Sequence, residues 1–582
     1  MWLLAAWTFV LGCTPMRSMD IWWHLRTGEW IVSECRVPQT DLYTFTVWDR
    51  PWIDLHWGFQ LLAWGLYSLG STPLLVLTKA VCLTVTVLVA MEAARIAGRA
   101  GRQDCSSTET GVHSAGTLPN WLEVLCWLPA VVCLSGRSIV RPEMLSILFL
   151  AVFLRLCAGL ERRPKQIFWF PLLILIWVNC HALFVLGGVI LAAWLADFVL
   201  RKWAGGRYGC VPLATDEPRI VFYGMLSSVL VCFANPYFEE GVFFPLVLFQ
   251  KFSTEHAFYS QRIGEFVPPL VFFHRHSFTN LYLNMEMLLF VATMASVVAL
   301  ACQRQTRPFR WLLFVAFAYL GWKASRNTAP FALVSGWVLV ANVTELYRLF
   351  TAPVTPRNSG KVAPRSKRPA NPRKVSERTT LRSVGSTSAA ELRSISSWAM
   401  AGLLCLLIGS VFTGHWGRWT GENRGFGVGE ADGWYAHGAA RFAGQDGMPL
   451  RAYVSHIGQA AVYIFHNGPE RRVFMDGRLE VATQQTFVEF ETIGTLMSAG
   501  DRRWMDLVRD AEGNLPAVLL DSRSARAEIR GLAIQPDWRM VYAEPAGALF
   551  IPTALADRLE LPPADFRPLV EPPGTRVLRT PQ

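Results

Sequence analysis

The sequence predicts a mainly α fold: a polytopic transmembrane helical bundle of about eleven spans, with a small exported α/β domain at the C-terminus. Three observations predict it. Of 582 residues, 52% are hydrophobic and only 17% charged, against about 25% charged in an average soluble chain. The apolar residues fall in long runs, and Lys and Arg collect in alternate connections between them. After Thr413 the runs stop, cysteine disappears, and a mixed composition typical of a soluble domain takes over.

In chain order the candidate spans are Trp2–Cys13, Pro73–Ala94, Trp121–Ser135, Met144–Leu160, Phe168–Asn179, Leu183–Leu200, Ile220–Ala234, Met285–Cys302, Trp311–Trp322, Ala329–Phe350 and Trp398–Thr413. Several are shorter than the roughly 20 residues a crossing needs, so flanking residues complete them. No basic stretch precedes the first run, which argues for a signal anchor or its remnant rather than a cleaved leader. Arg95, Arg99 and Arg102, then Arg162, Arg163 and Lys165, then Arg201, Lys202 and Arg207, then Arg304, Arg307 and Arg310 all fall on one side if the N-terminus is inside. That parity leaves no room for a crossing by His56–Leu69, which is therefore expected flat at the outer interface or re-entrant, with Trp57, Trp64 and Tyr67 at headgroup level.

The resulting organisation is residues 1–352 as the membrane domain, 353–397 as a disordered basic cytoplasmic linker, 398–414 as the last span and 415–582 as the exported domain. The linker reading rests on ten Lys/Arg against two Glu amid Pro, Ser and Thr. In the exported part, Ala452–His456, Arg472–Met475 and Ala517–Leu520 read as strands. Gln484–Met497 and Arg502–Asp510 read as helices, and Trp538–Tyr542 with Ala546–Ile551 as a closing hairpin.

The net charge of +11 does not signal nucleic acid, because the basic excess lies in short loops and one linker. The twelve Cys show no metal or disulfide spacing. No Gly-x-Gly-x-x-Gly, Walker-type loop, Gly-x-Ser-x-Gly elbow or His-Glu-x-x-His occurs, so nucleotide hydrolysis and serine or zinc protease chemistry lack support.

Polar residues with chemical potential gather in the outer segments. Asp20 and His24 are four apart and share a face if helical; a half-desolvated carboxylate there can act as a general base, or Asp20 can simply cap a helix. Asp54 and His56 alternate with apolar neighbours and face the same way on an extended strand. Together with Asp20 they make a divalent ion chemically allowed, although no spacing specifies one. Asp41 follows Pro38 as a binding group or a turn residue. Arg141 offers a forked donor suited to phosphate, and Glu143 either joins it or favours a helix start. His181 interrupts two apolar runs, Glu265 lies in the longest outer loop, and Arg326 precedes the tenth span. One membrane face gathers them all, which points to a shared cavity. The stretch Phe474-Met475-Asp476-Gly477-Arg478 reads as a strand end and turn.

The stretches Asp20-Ile21-Trp22-Trp23-His24-Leu25-Arg26-Thr27-Gly28-Glu29, Arg36-Val37-Pro38-Gln39-Thr40-Asp41 and Pro51-Trp52-Ile53-Asp54-Leu55-His56-Trp57 resemble the first outer loop of bacterial GT-C-type membrane glycosyltransferase-like proteins. Arg141-Pro142-Glu143, Trp177-Val178-Asn179-Cys180-His181, Asn235-Pro236-Tyr237, the Arg326 stretch and Phe474–Arg478 resemble later landmarks of that group. The resemblance implies a GT-C-like bundle in the cytoplasmic membrane. It implies transfer of a hexosyl or pentosyl group from a polyprenyl-phosphate carrier to a glycan, lipid or protein acceptor at the outer face, with the first-loop Asp20 as base. Several relatives carry two adjacent acids there; here Ile21 follows Asp20. In that scheme Arg141 or Arg326 clamps the phosphate, and His24, Asp54 and His56 orient acceptor or base. A transporter or flippase of a lipid-linked or polar solute is the rival reading and predicts charges buried mid-span; a non-catalytic envelope scaffold is the other.

Overall fold

The computed structural model describes residues 1–99, 118–204, 218–275, 279–351, 394–422 and 425–570. Its first part is helical throughout: α1 Trp2–Gly12, α2 Ile21–Glu34, α3 Trp57–Arg99, α4 Asn120–Gly136, α5 Glu143–Gly159, α6 Trp169–Val178, α7 Val185–Ala204, α8 Pro218–Val231, α9 Phe238–Thr254, α10 His256–Arg262, α11 Pro269–Arg275, α12 Leu281–Cys302, α13 Pro308–Lys323 and α14 Thr328–Thr351. A further helix, α15, covers Ser394–Phe412. Among the described residues five helices are long and apolar enough to cross a bilayer: Trp57–Arg99, Ala182–Trp203, Leu281–Cys302, Ser325–Thr351 and Ser394–Phe412; α1, α4 and α8 are among the shorter apolar ones. The expected linker lies outside the described residues, apart from Ser394–Ser397, which begin α15.

α14 is the axis of the bundle. Thr328 to Ala341 are buried almost without exception, and α3, α4, α12 and α13 pack around it. A helix that is apolar on every side is one enclosed by others. α3 is two helices meeting at a kink: Trp57–Leu69, the stretch expected flat at the outer interface or re-entrant, forms the first leg, and the chain breaks at Gly70 and Ser71, where Ser71 takes φ +53° and ψ −154°, before the apolar second leg. Pro73 explains the break, because its ring excludes the helical backbone before it. The first leg carries α2: a Cβ on Gly28 would collide with the Gln60 carbonyl oxygen, so only glycine admits this approach.

The long loop 235–284, expected at the outer face, is not irregular. Much of it folds into α9, α10, a 3₁₀ turn at Gly264–Phe266 and α11. Two charge clusters mark opposite ends of α5. Glu143 at its start meets Arg137, and beyond its end Glu161 meets Arg201, which also pairs with Asp197. Seventeen helical residues separate the ends, or about 25 Å at 1.5 Å per residue.

The C-terminal part continues with α16 His415–Trp419, α17 His437–Ala443, β1 Arg451–Val454, α18 Ile457–Asn467, β2 Arg472–Val473, α19 Gln484–Ser498, α20 Trp504–Val508, β3 Ala517–Asp521, α21 Arg526–Ala533, β4 Trp538–Glu544 and β5 Gly547–Pro552. The sheet order is β2-β1-β3-β5-β4. β2, β1 and β3 run parallel, and β5 pairs antiparallel with both β3 and β4. Both faces of the sheet are covered. Ala452, Val454, Ala517, Leu519, Leu549 and Ile551 point into one core. Their neighbours Tyr453, Val518, Leu520, Ala548 and Phe550 point into the other. This is the period-2 alternation of a strand, with apolar residues in both registers. The first core also holds Ile21, Trp22, Trp23 and Leu25 of α2, so the domain is fused to the start of the chain. The fusion extends to the sheet edge. Val473 N–H donates to the Tyr43 carbonyl at 2.9 Å and Phe45 N–H to the Val473 carbonyl at 3.0 Å, which adds a short parallel bridge from the first loop beside β2.

Candidate functional site

Asp20 occupies the N-cap position of α2, yet its side chain makes no capping bond. Its Oδ2 lies 2.9 Å from Arg141 Nη2. The other amino group of Arg141 lies 2.9 Å from Glu265 Oε1. Arg137 meets the same Glu265 oxygen at 3.3 Å and Glu143 Oε2 at 3.3 Å. Charges therefore alternate along the row Asp20–Arg141–Glu265–Arg137–Glu143. Three regions far apart in sequence supply it: the α2 start, the 137–143 turn that opens α5, and the 3₁₀ turn before α11. Arg326 stacks over Phe266 at 5.2 Å and is close enough to act on both Asp20 and Glu265.

Burial pushes the Asp20 carboxyl above its ordinary range, and the Arg141 guanidinium opposes that rise without cancelling it. Burial acts the same way on Glu265, but Arg141, Arg137 and Arg326 together outweigh it and draw the group down to about 2. The two acids thus differ: Glu265 is a fixed counter-ion, and Asp20 is the one with proton affinity to spare.

A cavity of about 310 Å³ adjoins this row, lined by Arg17, Ser18, Lys79, Arg137, Arg141 and Glu265 among others. Lys79, only 3% exposed on the apolar helix α3, sends its ammonium to the Thr14 carbonyl and hydroxyl at 3.3 and 3.1 Å. A buried lysine on a spanning helix is costly unless it serves a polar cavity. Sequence reading missed it, although a single Lys within an apolar run was the available signal.

Behind Asp20 lies an imidazole cluster. The rings of His24 and His56 are 5.4 Å apart, as are those of His56 and His181. Trp177 Nε1–H donates to Ser146 Oγ at 2.8 Å, so the Ser146 hydroxyl is free to donate to His181 Nδ1 at 2.7 Å and leave the proton of neutral His181 on Nε2. Burial lowers the proton affinity of His24 and His181. His56 is also desolvated, but its bond to and charge interaction with Asp54 outweigh this and raise it; the two side chains stand 3.3 Å apart. Asp54 is fully buried, and its Oδ2 has no partner among the described residues.

Asp41 stands elsewhere. It is buried and accepts bonds from Tyr43 N–H, Thr44 N–H and the Thr44 hydroxyl. It also pairs with Arg478 Nη2 at 2.6 Å. Arg478 is itself fully buried, held by Asp476 at 2.6 Å and stacked 4.5 Å over Trp52. Asp41 is thus saturated by a joint between the first loop and the C-terminal domain and does not line the cavity beside Arg141. Asp476-Gly477-Arg478 does form a turn, with Arg478 N–H donating to Asp476 Oδ1 at 2.8 Å.

The site fits a divalent ion poorly. Among the described residues no group of three or more His, Cys, Asp or Glu side chains is placed to hold a metal, and a guanidinium already stands between Asp20 and Glu265.

No family model and no curated protein matches the chain. Solved structures do. The archaeal oligosaccharyltransferase AglB from Archaeoglobus fulgidus, in complex with an inhibitory peptide and a dolichol-phosphate, matches at TM-score 0.50 and 11% identity, over 90% of this chain and 69% of that one. The apo oligosaccharyltransferase from the same organism matches at TM-score 0.51 and 10% identity, over the same shares. At such identity the likeness is one of fold, and it agrees with the GT-C-type architecture that the sequence resembles: this chain shares the fold of an oligosaccharyltransferase.

Proposed function

We propose that this protein is a membrane glycosyltransferase that moves a sugar from a polyprenyl-phosphate carrier to an acceptor at the outer face of the cytoplasmic membrane. One observation carries the reading: a carboxylate of raised proton affinity shares its counter-ion, Arg141, with a cation-lined cavity at one end of an apolar bundle. A phosphate anchored by a lipid tail arrives at that depth, and Arg137, Arg141 and Lys79 present charge to it. As Arg141 turns toward the phosphate, Asp20 loses its ion pair and becomes the stronger base, ready to take the proton of an acceptor hydroxyl or amide. His56 and Asp54 orient the acceptor side. Residues 1–352 and the helix at 398–414 form the membrane part in this reading, and 415–582 lie outside with the cavity.

The transporter reading asks for charges in mid-span. Lys79 lines the outer cavity instead, and Glu286 bonds to Thr328 at the outer start of α14. Comparing lipid-linked sugars in cells with and without the gene tests the proposal. Loss of the protein leads to accumulation of one polyprenyl-phosphate sugar, reversed by the intact chain; an unchanged lipid-linked pool contradicts the proposal.

The pH profile follows from the same geometry. Asp20 works deprotonated, so activity falls as pH drops through its raised pKa, above the ordinary aspartate value of about 3.9. Arg141 lowers that pKa. Replacing Arg141 with Gln therefore moves the acid limb of kcat/KM, which reports the free enzyme, to higher pH, whatever happens to the plateau. A limb that stays put or moves down assigns the titration to another group.

A further inference from the structure

Residues Met16 to Asp20 are gripped along their length by the C-terminal domain. Met16 N–H donates to the Gly429 carbonyl at 2.7 Å, and Ala431 N–H donates to the Met16 carbonyl at 3.1 Å. The Arg17 carbonyl accepts from Trp434 Nε1 at 3.1 Å, and the Ser18 carbonyl accepts from the Tyr435 hydroxyl at 2.9 Å. The Met19 side chain lies so near Gly458 that a Cβ there would meet it at 2.5 Å. Last, a Cβ on Gly477 would stand 3.0 Å from Asp20 Oδ1. From the membrane side the same segment is held, among the described residues, by the Ser18 hydroxyl donating to the Val140 carbonyl at 3.0 Å, by Arg141 on Asp20 and by the apolar cluster that Met16 shares with Leu75, Val76 and Val140.

The gripping residues are themselves fixed. Gln459, fully buried on α18, accepts from Ala436 N–H and donates to the Trp434 carbonyl and to Asp521 of β3, each at 3.0 Å. That ties the 434–436 turn to the centre of the sheet. Gly477 sits between Asp476 and Arg478, whose ion pair locks the turn. Its φ is not positive, so backbone conformation does not demand glycine here; what a side chain would do is press on Asp20, whose carboxylate would have to give way.

We propose that the C-terminal domain is the positioning device for Asp20, and that Gly477 and Tyr435 are its positioning residues. The proposal rests on the reading of Asp20 as the reacting acid. Asp20 Oδ1 packs on the bare face of Gly477 while Oδ2 is held by Arg141. A side chain at 477 pushes the carboxylate off its line with the acceptor but leaves the lipid-phosphate cavity untouched, because Gly477 does not line it. A misplacement of about 1 Å costs on the order of 100-fold in rate.

The test uses the full chain in nanodiscs and a panel of undecaprenyl-phosphate-linked hexoses, comparing Gly477→Ala, Gly477→Val, Tyr435→Phe and Asp20→Asn. Positioning predicts that kcat falls in the order glycine, alanine, valine, with valine down about 100-fold, while KM for the lipid and the melting temperature stay at wild-type values. Tyr435→Phe, which keeps the ring and loses one bond to the Ser18 carbonyl, lowers kcat about 3- to 10-fold, about what a hydrogen bond of ordinary net strength is worth. Wild-type kcat in both Gly477 variants overturns the proposal, as does a loss that appears only in KM or in folded yield. Full activity in Asp20→Asn removes the underlying reading instead, so the two failures are distinct.

Discussion

Replacing Asp20 with Asn lowers sugar transfer by about 10²- to 10⁴-fold, the usual worth of a positioned general base. The amide keeps the shape of the carboxylate and its seat against Gly477, so packing survives. What disappears is the proton acceptor and the negative partner of Arg141. With that partner neutral, Arg141 is freer to meet a phosphate, so donor binding does not weaken. The measurement is turnover of the undecaprenyl-phosphate hexose panel beside the melting temperature. Loss of turnover with an unchanged melt supports the account; turnover near the wild-type rate removes Asp20 from the chemistry.

Replacing Arg478 with Leu destabilises the protein by about 3–5 kcal/mol. Arg478 is fully buried between two carboxylates, Asp41 and Asp476, and its removal leaves both buried without a counter-charge. The penalty is the cost of unpaired buried charge rather than the worth of the ion pair itself, which predicts a rescue. Adding Asp41→Asn and Asp476→Asn to Arg478→Leu recovers part of the loss, because no charge then remains buried without a partner. Thermal melting of the three chains in detergent measures both effects. Equal melting of wild type and Arg478→Leu contradicts the joint as a stabilising element. Since this joint also frames Gly477, the single variant loosens Asp20 as well, and limited proteolysis cuts near residues 16–20 sooner.

Much of the bundle was legible because long apolar runs bounded by charge match the thickness and polarity profile of a bilayer. The break at Gly70–Ser71 lies just before Pro73, where the sequence had placed the start of a span. The leg before it, Trp57–Leu69, is apolar enough to span, and charge parity is what sets it apart from the span that follows the kink. In the C-terminal domain the strands were visible by alternation, and each was found within a few residues. The helix α18 was missed although its signal was present. Gly458 to Ile464 are all buried, yet Gln459, Tyr463, His466 and Asn467 recur at helical spacing, so a 3.6-residue period was there to read across eleven residues. The helices of the 235–284 region were missed because their apolar and polar residues alternate irregularly around Pro245 and Pro269.

The candidate site was legible as a set of residues and illegible as an arrangement. A carboxylate just past an apolar run marks itself by its cost, and Asp20 is such a residue. Nothing in sequence pairs Arg141 with Glu265 across 124 residues, or Asp41 with Arg478 across 437. Asp41 looked like a member of the site because it shares a loop with Asp54 and His56, yet its partner is the C-terminal turn. That turn was correctly read as a turn; the role of its glycine depends on Asp20, which only the fold brings to it.

The central claim is that Asp20 and the cavity beside it do separate jobs, one chemical and one electrostatic. The direct measurement is the affinity of undecaprenyl phosphate for the purified chain in nanodiscs, taken for wild type, Asp20→Asn and the pair Arg137→Gln with Arg141→Gln. The account predicts that Asp20→Asn binds at least as well as wild type while failing to turn over, and that the double arginine variant loses at least about tenfold in affinity, as expected when charge-assisted contacts to phosphate are removed. Wild-type affinity in the double variant, or loss of affinity in Asp20→Asn alone, contradicts it.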